Sequence, residues 1–309
     1  MYGPEYEKII FEICDCLGIV CRRFEPNCLA LTWNDQTQYI WSRRFPQNSA
    51  TSSRIIDSKC MCSSILASAG VPVVNHVKLY RSDSERYDQQ ELPSQKICET
   101  ILADCGGVVI KPNDSYEGKG VYLCFSQKEI ECALYKSFQS HSIVAAAPYI
   151  NAHAEYRIVY LDGECLLLYK KKLPEVIGDG HLSLKALAEH LGVNEPDFCQ
   201  KDQLNIVPAR GEHITVGWKF NLSCGSTPEV IDRFSAPQLL LDIATKAAET
   251  VNAKFVSIDL LEESGSHDLM VLELNAGVAM DQFIIKNPDG RKIAYSIYEK
   301  SIKNMFHCN

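Results

Sequence analysis

Apolar residues recur at helical spacing at Ile9, Ile10, Ile13 and Leu17, which predicts a helix over residues 5–17 with Gly18 as its stop. Three short β-like runs follow, residues 19–24, 28–33 and 38–41, and Asn34-Asp35 supplies a turn between the last two. A polar stretch at 47–53 leads into a second helical pattern over 54–68, closed near Gly70, after which Val71-Pro72-Val73-Val74 is extended. These elements predict a small N-terminal α/β domain, residues 1–83, because residues 82–94 are polar and carry Pro93 near their end.

The pattern then alternates: helix 94–102, strand 107–111, a Gly-rich loop at 112–120, strand 121–125, helix 127–138 and strand 142–147. Two long β runs between 155 and 172 are joined by Asp162-Gly163, a strong hairpin signal. Helices are expected at 183–191 and 236–252, and a last strand pair at 255–261 and 269–275. The expectation is two further α+β units, residues 84–150 and 151–309, with no internal repeat.

Charge narrows the function. The 39 acidic and 31 basic side chains leave a net charge of −8, and the basic ones form no stripe, which argues against a nucleic-acid partner. The one dense basic cluster, Lys170-Lys171-Lys172, reads first as a solvated strand end. No window approaches the ~18 apolar residues of a membrane span and no basic flank precedes an apolar start, so a cytoplasmic protein is expected. The 14 cysteines lie among apolar neighbours and read as reduced, small hydrophobes. Cys14/Cys16 and Cys60/Cys62 have one intervening residue each, which does not match zinc-knuckle spacing.

Two stretches carry chemistry. In Val108-Val109-Ile110-Lys111-Pro112 an apolar strand delivers a lysine to the edge of a loop containing Glu117-Gly118-Lys119-Gly120. Glycines there let backbone N–H groups approach phosphate oxygens while Lys111 supplies charge; the Walker ending is absent, and a plain hairpin loop is the structural alternative. In Val256-Ser257-Ile258-Asp259 and Leu272-Glu273-Leu274-Asn275, polar side chains interrupt apolar strands, and the alternation puts Glu273 and Asn275 on one face. Three oxygen-bearing side chains on paired strands are costly to bury without partners; hard-oxygen coordination of magnesium would satisfy all three, whereas a backbone N–H or an arginine would satisfy any one of them.

In order, apolar-Lys-Pro with a Gly loop, a Glu-x-Arg strand, an apolar-Asp and a Glu-x-Asn together resemble the ATP-grasp ligases over roughly residues 50 to 300. The nearest resemblance is to the ATP-grasp unit of cyanophycin synthetase and of the bifunctional bacterial glutathione-making enzymes, with the D-alanine:D-alanine ligases further away. It implies an ATP-grasp fold in which two α+β subdomains clamp ATP between antiparallel sheets, behind the small N-terminal α/β domain. Lys59, leading a helix before Gly70-Val71-Pro72, becomes a second phosphate ligand beside Lys111 and the loop Glu117 to Gly120. Tyr149 and Ile150 fall at the hinge whose backbone reads adenine, Glu155 at the ribose carboxylate, and Leu272 against the nucleotide. Asp259, Glu273 and Asn275 become ligands of two magnesium ions, with manganese as a substitute. Arg157, Lys172 in Lys172-Leu173-Pro174, and Asn221 and Ser223 in Asn221-Leu222-Ser223-Cys224-Gly225-Ser226 fall near the reacting centre.

The sequence also departs from the family. Ala145-Ala146-Ala147 stands where a glutamate commonly precedes the hinge, Ser257 replaces the arginine of D-alanine ligases, and the segment after Asn275 lacks Pro-Gly. The resemblance implies phosphoryl transfer from ATP to a carboxylate, then attack of an amine on the acyl-phosphate, with amino acids or short peptides as substrates and a homo-oligomer left open. Two alternatives stand beside it. A phosphotransferase would need a catalytic base, for which Asp281 is the available residue, and a regulatory module would bind ATP without turnover.

Overall fold

The computed structural model describes residues 4–84, 92–114, 118, 120–193 and 204–307. The first elements are α1 (Pro4–Leu17), β1 (Val20–Glu25), β2 (Cys28–Trp33), β3 (Gln36–Trp41), α2 (Ala50–Asp57), α3 (Lys59–Ser68) and β4 (Val77–Tyr80). Next come α4 (Ser94–Cys105), β5 (Val108–Pro112), β6 (Tyr122–Cys124), α5 (Gln127–Ser140), β7 (Ile143–Pro148), β8 (Ala152–Leu161), β9 (Glu164–Lys172), β10 (Glu175–Ile177) and α6 (Leu184–His190). The chain continues through β11 (His213–Thr215), β12 (Thr227–Ile231), α7 (Gln238–Thr250), β13 (Phe255–Glu263), β14 (Leu269–Asn275), α8 (Asp281–Lys286) and α9 (Gly290–Met305).

Two antiparallel sheets dominate: a four-stranded one in the order β4-β7-β5-β6 and a five-stranded one in the order β12-β9-β8-β13-β14. The hairpin expected at Asp162-Gly163 joins β8 to β9 with both residues at positive φ, 46° and 89°, the two-residue turn whose twist matches the strands. This mixed α+β arrangement of antiparallel sheets agrees with the expected fold class.

Several elements differ from the sequence reading for physical reasons. The single helix expected over 54–68 is two, because Ser58 leaves the helical region at φ −102° and ψ 104°, ends α2 by donating its N–H to Ile55, and caps α3 by accepting from the Met61 N–H. β4 lies before the expected break near residue 84 yet pairs with β7, so the second sheet draws a strand from the segment assigned to the N-terminal unit. That unit also shares its core with the C-terminal part. Ile9, Ile10 and Ile13 of α1 are fully buried with Tyr298 and Ile302 of α9 and with Val159 and Tyr169 of the large sheet, and each such side chain contributes about 1.5–3 kcal/mol relative to exposure.

Candidate functional site

Between the two large sheets lies an open cleft. Its walls come from β5 and β7 on one side and from β8, β13 and β14 on the other, with the 149–150 linker and residues 218–221 closing the sides. One part is apolar. Val74, Ala147, Ile150, Ala152, Leu261 and Leu272 pack as a single cluster, joined by Val109, and the Tyr149 ring meets Phe125 at 5.7 Å and Trp218 at 6.3 Å edge-on. Gly107 accepts the Tyr149 N–H at its carbonyl, and a Cβ there would lie 2.9 Å from Tyr149 Cβ, so only glycine lets the linker pass this close.

The other part is charged. Ser58 re-aims the chain so that Lys59 opens α3, and Asn113 ties that helix N-terminus to the end of β5: its carbonyl accepts the Lys59 N–H at 3.2 Å, its Oδ1 accepts the Cys60 N–H at 3.1 Å, and its amide donates to Ser58 Oγ at 3.0 Å. Lys59 and Lys111 are thereby brought into one cleft, with Lys59 Nζ 3.8 Å from Glu273. Lys111 is 7% exposed, and burial, only partly offset by Glu273, pushes its pKa down to about 8.

Opposite them, register fixes a compact network. Arg157 on β8 and Glu273 on β14 flank Asp259 on β13, and Glu155 on β8 faces Lys171 on β9. The Arg157 guanidinium grips Asp259 with Nε 2.7 Å from Oδ1 and Nη2 on Oδ2, while Lys171 Nζ donates to the same Oδ1 at 2.9 Å and to Glu155. Burial alone would raise the Asp259 pKa; Arg157 and Lys171 outweigh it and hold it at about 2. Burial leaves the Glu155 pKa raised despite Lys171, and Asp259 and Glu155 keep Lys171 charged against its own burial.

The fit to magnesium is therefore partial. Glu273 opens on the cleft, and the Asn275 amide lies 3.3 Å from its Oε1, which bears out their expected common face and suits a hard cation. Asp259 has both oxygens engaged by cations, and among the described residues no group of three or more acidic, His or Cys side chains converges as a ready metal cage.

A bifunctional glutathione synthetase from Pasteurella multocida has the same arrangement with a TM-score of 0.58 at 17% identity, over 99% of this chain and 44% of that one. A D-alanine–D-alanine ligase from Bacillus anthracis matches with a TM-score of 0.54 at 17% identity, over 84% of this chain and 71% of that one. The ATP-grasp ligase PsnB, in complex with minimal precursor, Mg and ADP, matches at 0.50 and 15% identity, over 84% and 62%. The chain has the ATP-grasp fold. It spans less than half the length of the glutathione synthetase, and no protein-family model and no curated relative matches its sequence.

Within this ATP-grasp cleft the structure places Lys59, Lys111, Gly118, Tyr149, Ile150, Glu155, Asn221, Asp259, Leu272 and Glu273, with Arg157 and Asn275 hydrogen-bonded to Asp259 and Glu273. Gly118, at φ 69°, sits so close to Asn221 that an added Cβ would lie 3.1 Å from its Oδ1, so Gly118 lies against the 218–221 segment. Gly120 packs on Pro112 and does not line the cleft, and Glu117 and Lys119 fall outside the described residues.

Lys172 is corrected. Alternation along β9 turns Tyr169 and Lys171 inward, so Lys172 points to solvent, 56% exposed, and pairs with Glu229 at 2.8 Å. Ser223 is likewise on the surface, beside Cys224. Sequence reasoning missed Lys171 and the Trp218-Lys219-Phe220 wall. The signal for Lys171 was present: it lies opposite Glu155 once the Asp162-Gly163 hairpin sets the register.

Proposed function

We propose that the chain is an ATP-dependent carboxylate–amine ligase that forms an amide bond through an acyl-phosphate, acting in the cytoplasm on an amino acid or short peptide. The observation that carries this reading is the two-part cleft between antiparallel sheets. Its apolar part suits a purine and its charged part, with Lys59 and Lys111 together, suits a polyphosphate. The Ala145–Ala147 departure is accommodated, because adenine would be held by linker backbone and by the Tyr149 and Trp218 rings.

Two anions, a carboxylate and the terminal phosphate, must meet for the first step. Lys59 and Lys111 would hold the phosphates, and Arg157, on the strand next to Ser257, would supply the guanidinium that the D-alanine ligases carry at the Ser257 position. Magnesium, when bound with ATP, neutralises phosphate charge; Glu273 and Asn275 would hold it, and Asp259 could join them only by releasing Arg157 or Lys171. Asn221, beside Gly118, would help hold the phosphates and exclude water from the reacting atoms. A phosphotransferase gains no support, because Asp281, its available base, is ion-paired with Arg43 at 2.7 Å.

The test is phosphate release from Mg-ATP across amino acids and dipeptides supplied singly and in pairs, with products weighed by mass spectrometry. A product one water lighter than its summed substrates, absent with Glu273→Ala, is expected. ATP binding without turnover across the panel would leave the regulatory module as the better reading.

A further inference from the structure

The N-terminal sheet has the order β1-β2-β3, so both β1 and β3 are edges. Edge strands offer unpaired backbone groups to any other strand, and proteins commonly protect them with charges or bulges. β1 is protected: it carries Arg22, Arg23 and Glu25, and its register with β2 shifts between Arg23 and Glu25. β3 is not. Its sequence, Gln36-Thr37-Gln38-Tyr39-Ile40-Trp41, has no charge, no proline and no bulge against β2.

Trp41 exchanges backbone hydrogen bonds with Arg44, at 3.0 and 2.8 Å, on the side away from β2. By alternation Thr37 and Tyr39 direct their N–H and C=O groups to that same side, and among the described residues no strand pairs with it. The outer face above this edge is apolar: Tyr39 and Trp41 are 55% and 56% exposed, and the Tyr39 ring lies 6.4 Å from that of Phe24, itself 67% exposed. No residue of β3 lines the nucleotide cleft.

We propose that β3 pairs antiparallel with β3 of a second copy of this chain, joining two three-stranded sheets into one of six strands across a two-fold axis at Gln38. In an antiparallel self-pairing the residue on the two-fold axis faces its own copy and the residues either side face each other, so an edge without charge meets no like-charge repulsion in any such register. β3 is such an edge, whereas β1 carries Arg22, Arg23 and Glu25. Centring the axis on Gln38 sets Thr37 against Tyr39 of the copy, and Tyr39 against its Thr37, so that these outward-directed backbone groups bond each other. It also needs nothing from Trp41, whose groups Arg44 already holds.

Sedimentation velocity at about 1–100 µM, the range in which an interface of this kind exchanges, tests the proposal. The wild-type chain is expected to be a dimer. Gln38→Lys and Gln38→Glu, each placing like charges across the axis, weaken it by at least about tenfold, and an equimolar mixture of the two restores it. Thr37→Pro, which removes an outward N–H and the exposed hydroxyl contact with Thr32 but no β2–β3 ladder bond, also dissociates it. Nucleotide affinity and the far-ultraviolet circular dichroism spectrum of each variant stay at the wild-type values, which separates dissociation from misfolding; the thermal midpoint falls only by the contribution of association. A wild-type monomer throughout this range, a dimer indifferent to both Gln38→Lys and Thr37→Pro, or a mixture that stays monomeric would each overturn the proposal.

Discussion

The two sheets that face each other across the cleft handle buried charge in opposite ways. The five-stranded sheet closes its charges on themselves: Arg157, Lys171, Asp259 and Glu155 form a network in which Asp259 and Lys171 each have only 2% of their side chains exposed. The four-stranded sheet buries one cation, Lys111, with no carboxylate within ion-pair distance among the described residues, and its pKa drops to about 8. A closed network holds geometry and resists change. A buried cation whose charge is disfavoured by desolvation is a cost that an anionic ligand would relieve, so on the proposed reading the first sheet is the frame and the second the phosphate receptor.

Opening the network should have the largest effect. Lys171→Met leaves Asp259 and Glu155 close together without their shared cation, and breaking a buried pair this way costs about 3–5 kcal/mol. Urea unfolding should show that loss, and a loss below about 1 kcal/mol would mean that the frame is not held by charge pairing. Lys111→Met should do the reverse. Stability is expected to hold or rise because a desolvated charge disappears, while affinity for ATP, read by calorimetry, falls on the order of tenfold to a hundredfold. If Lys111→Met instead destabilises the fold as Lys171→Met does, the contrast between the sheets fails.

A gentler probe of the same contrast is pH. Between about 8 and the ordinary lysine value of 10.5, the unfolded chain keeps a proton that native Lys111 has lost, so this group adds to stability as pH rises through that window. Phosphate binding goes the other way, since it needs the ammonium. ATP affinity should fall by up to about tenfold per unit above pH 8, and Lys111→Arg should flatten that profile, because arginine stays charged. An affinity that is level from pH 7 to 9.5 in the unsubstituted protein would show that Lys111 does not carry the phosphate charge.

Much of the frame was legible because its signals were local. Asp162-Gly163 marked the hairpin that sets the β8–β9 register, and polar residues interrupting apolar strands marked Asp259, Glu273 and Asn275. The wall at Trp218 to Phe220 was not, since it lies in an irregular stretch between β11 and the 3-10 turn Leu222–Cys224, where no periodicity separates a lining residue from a surface one. β4 was hidden for a related reason. Four residues are too few to show alternation, and its place in the second sheet comes from pairing with β7, more than sixty residues further along the chain.

The smallest expected effect settles the one-residue offset on β9. Lys171 and Lys172 are adjacent and chemically identical, and only strand alternation separates them, one 2% exposed among carboxylates and the other 56% exposed beside Glu229. An exposed ion pair of this kind contributes about 0–1 kcal/mol. Lys172→Ala should therefore leave unfolding free energy within about 0.5 kcal/mol of the unsubstituted chain and ATP affinity unchanged. Measured beside Lys171→Met, it isolates register from composition: both variants remove one lysine charge from the same strand, so any difference between them comes from the face on which that charge stands. A Lys172→Ala effect on ATP binding as large as that of Lys111→Met would require β9 to be shifted by one residue, which would also move Tyr169 off the inner face where it stacks on Phe283 at 5.0 Å.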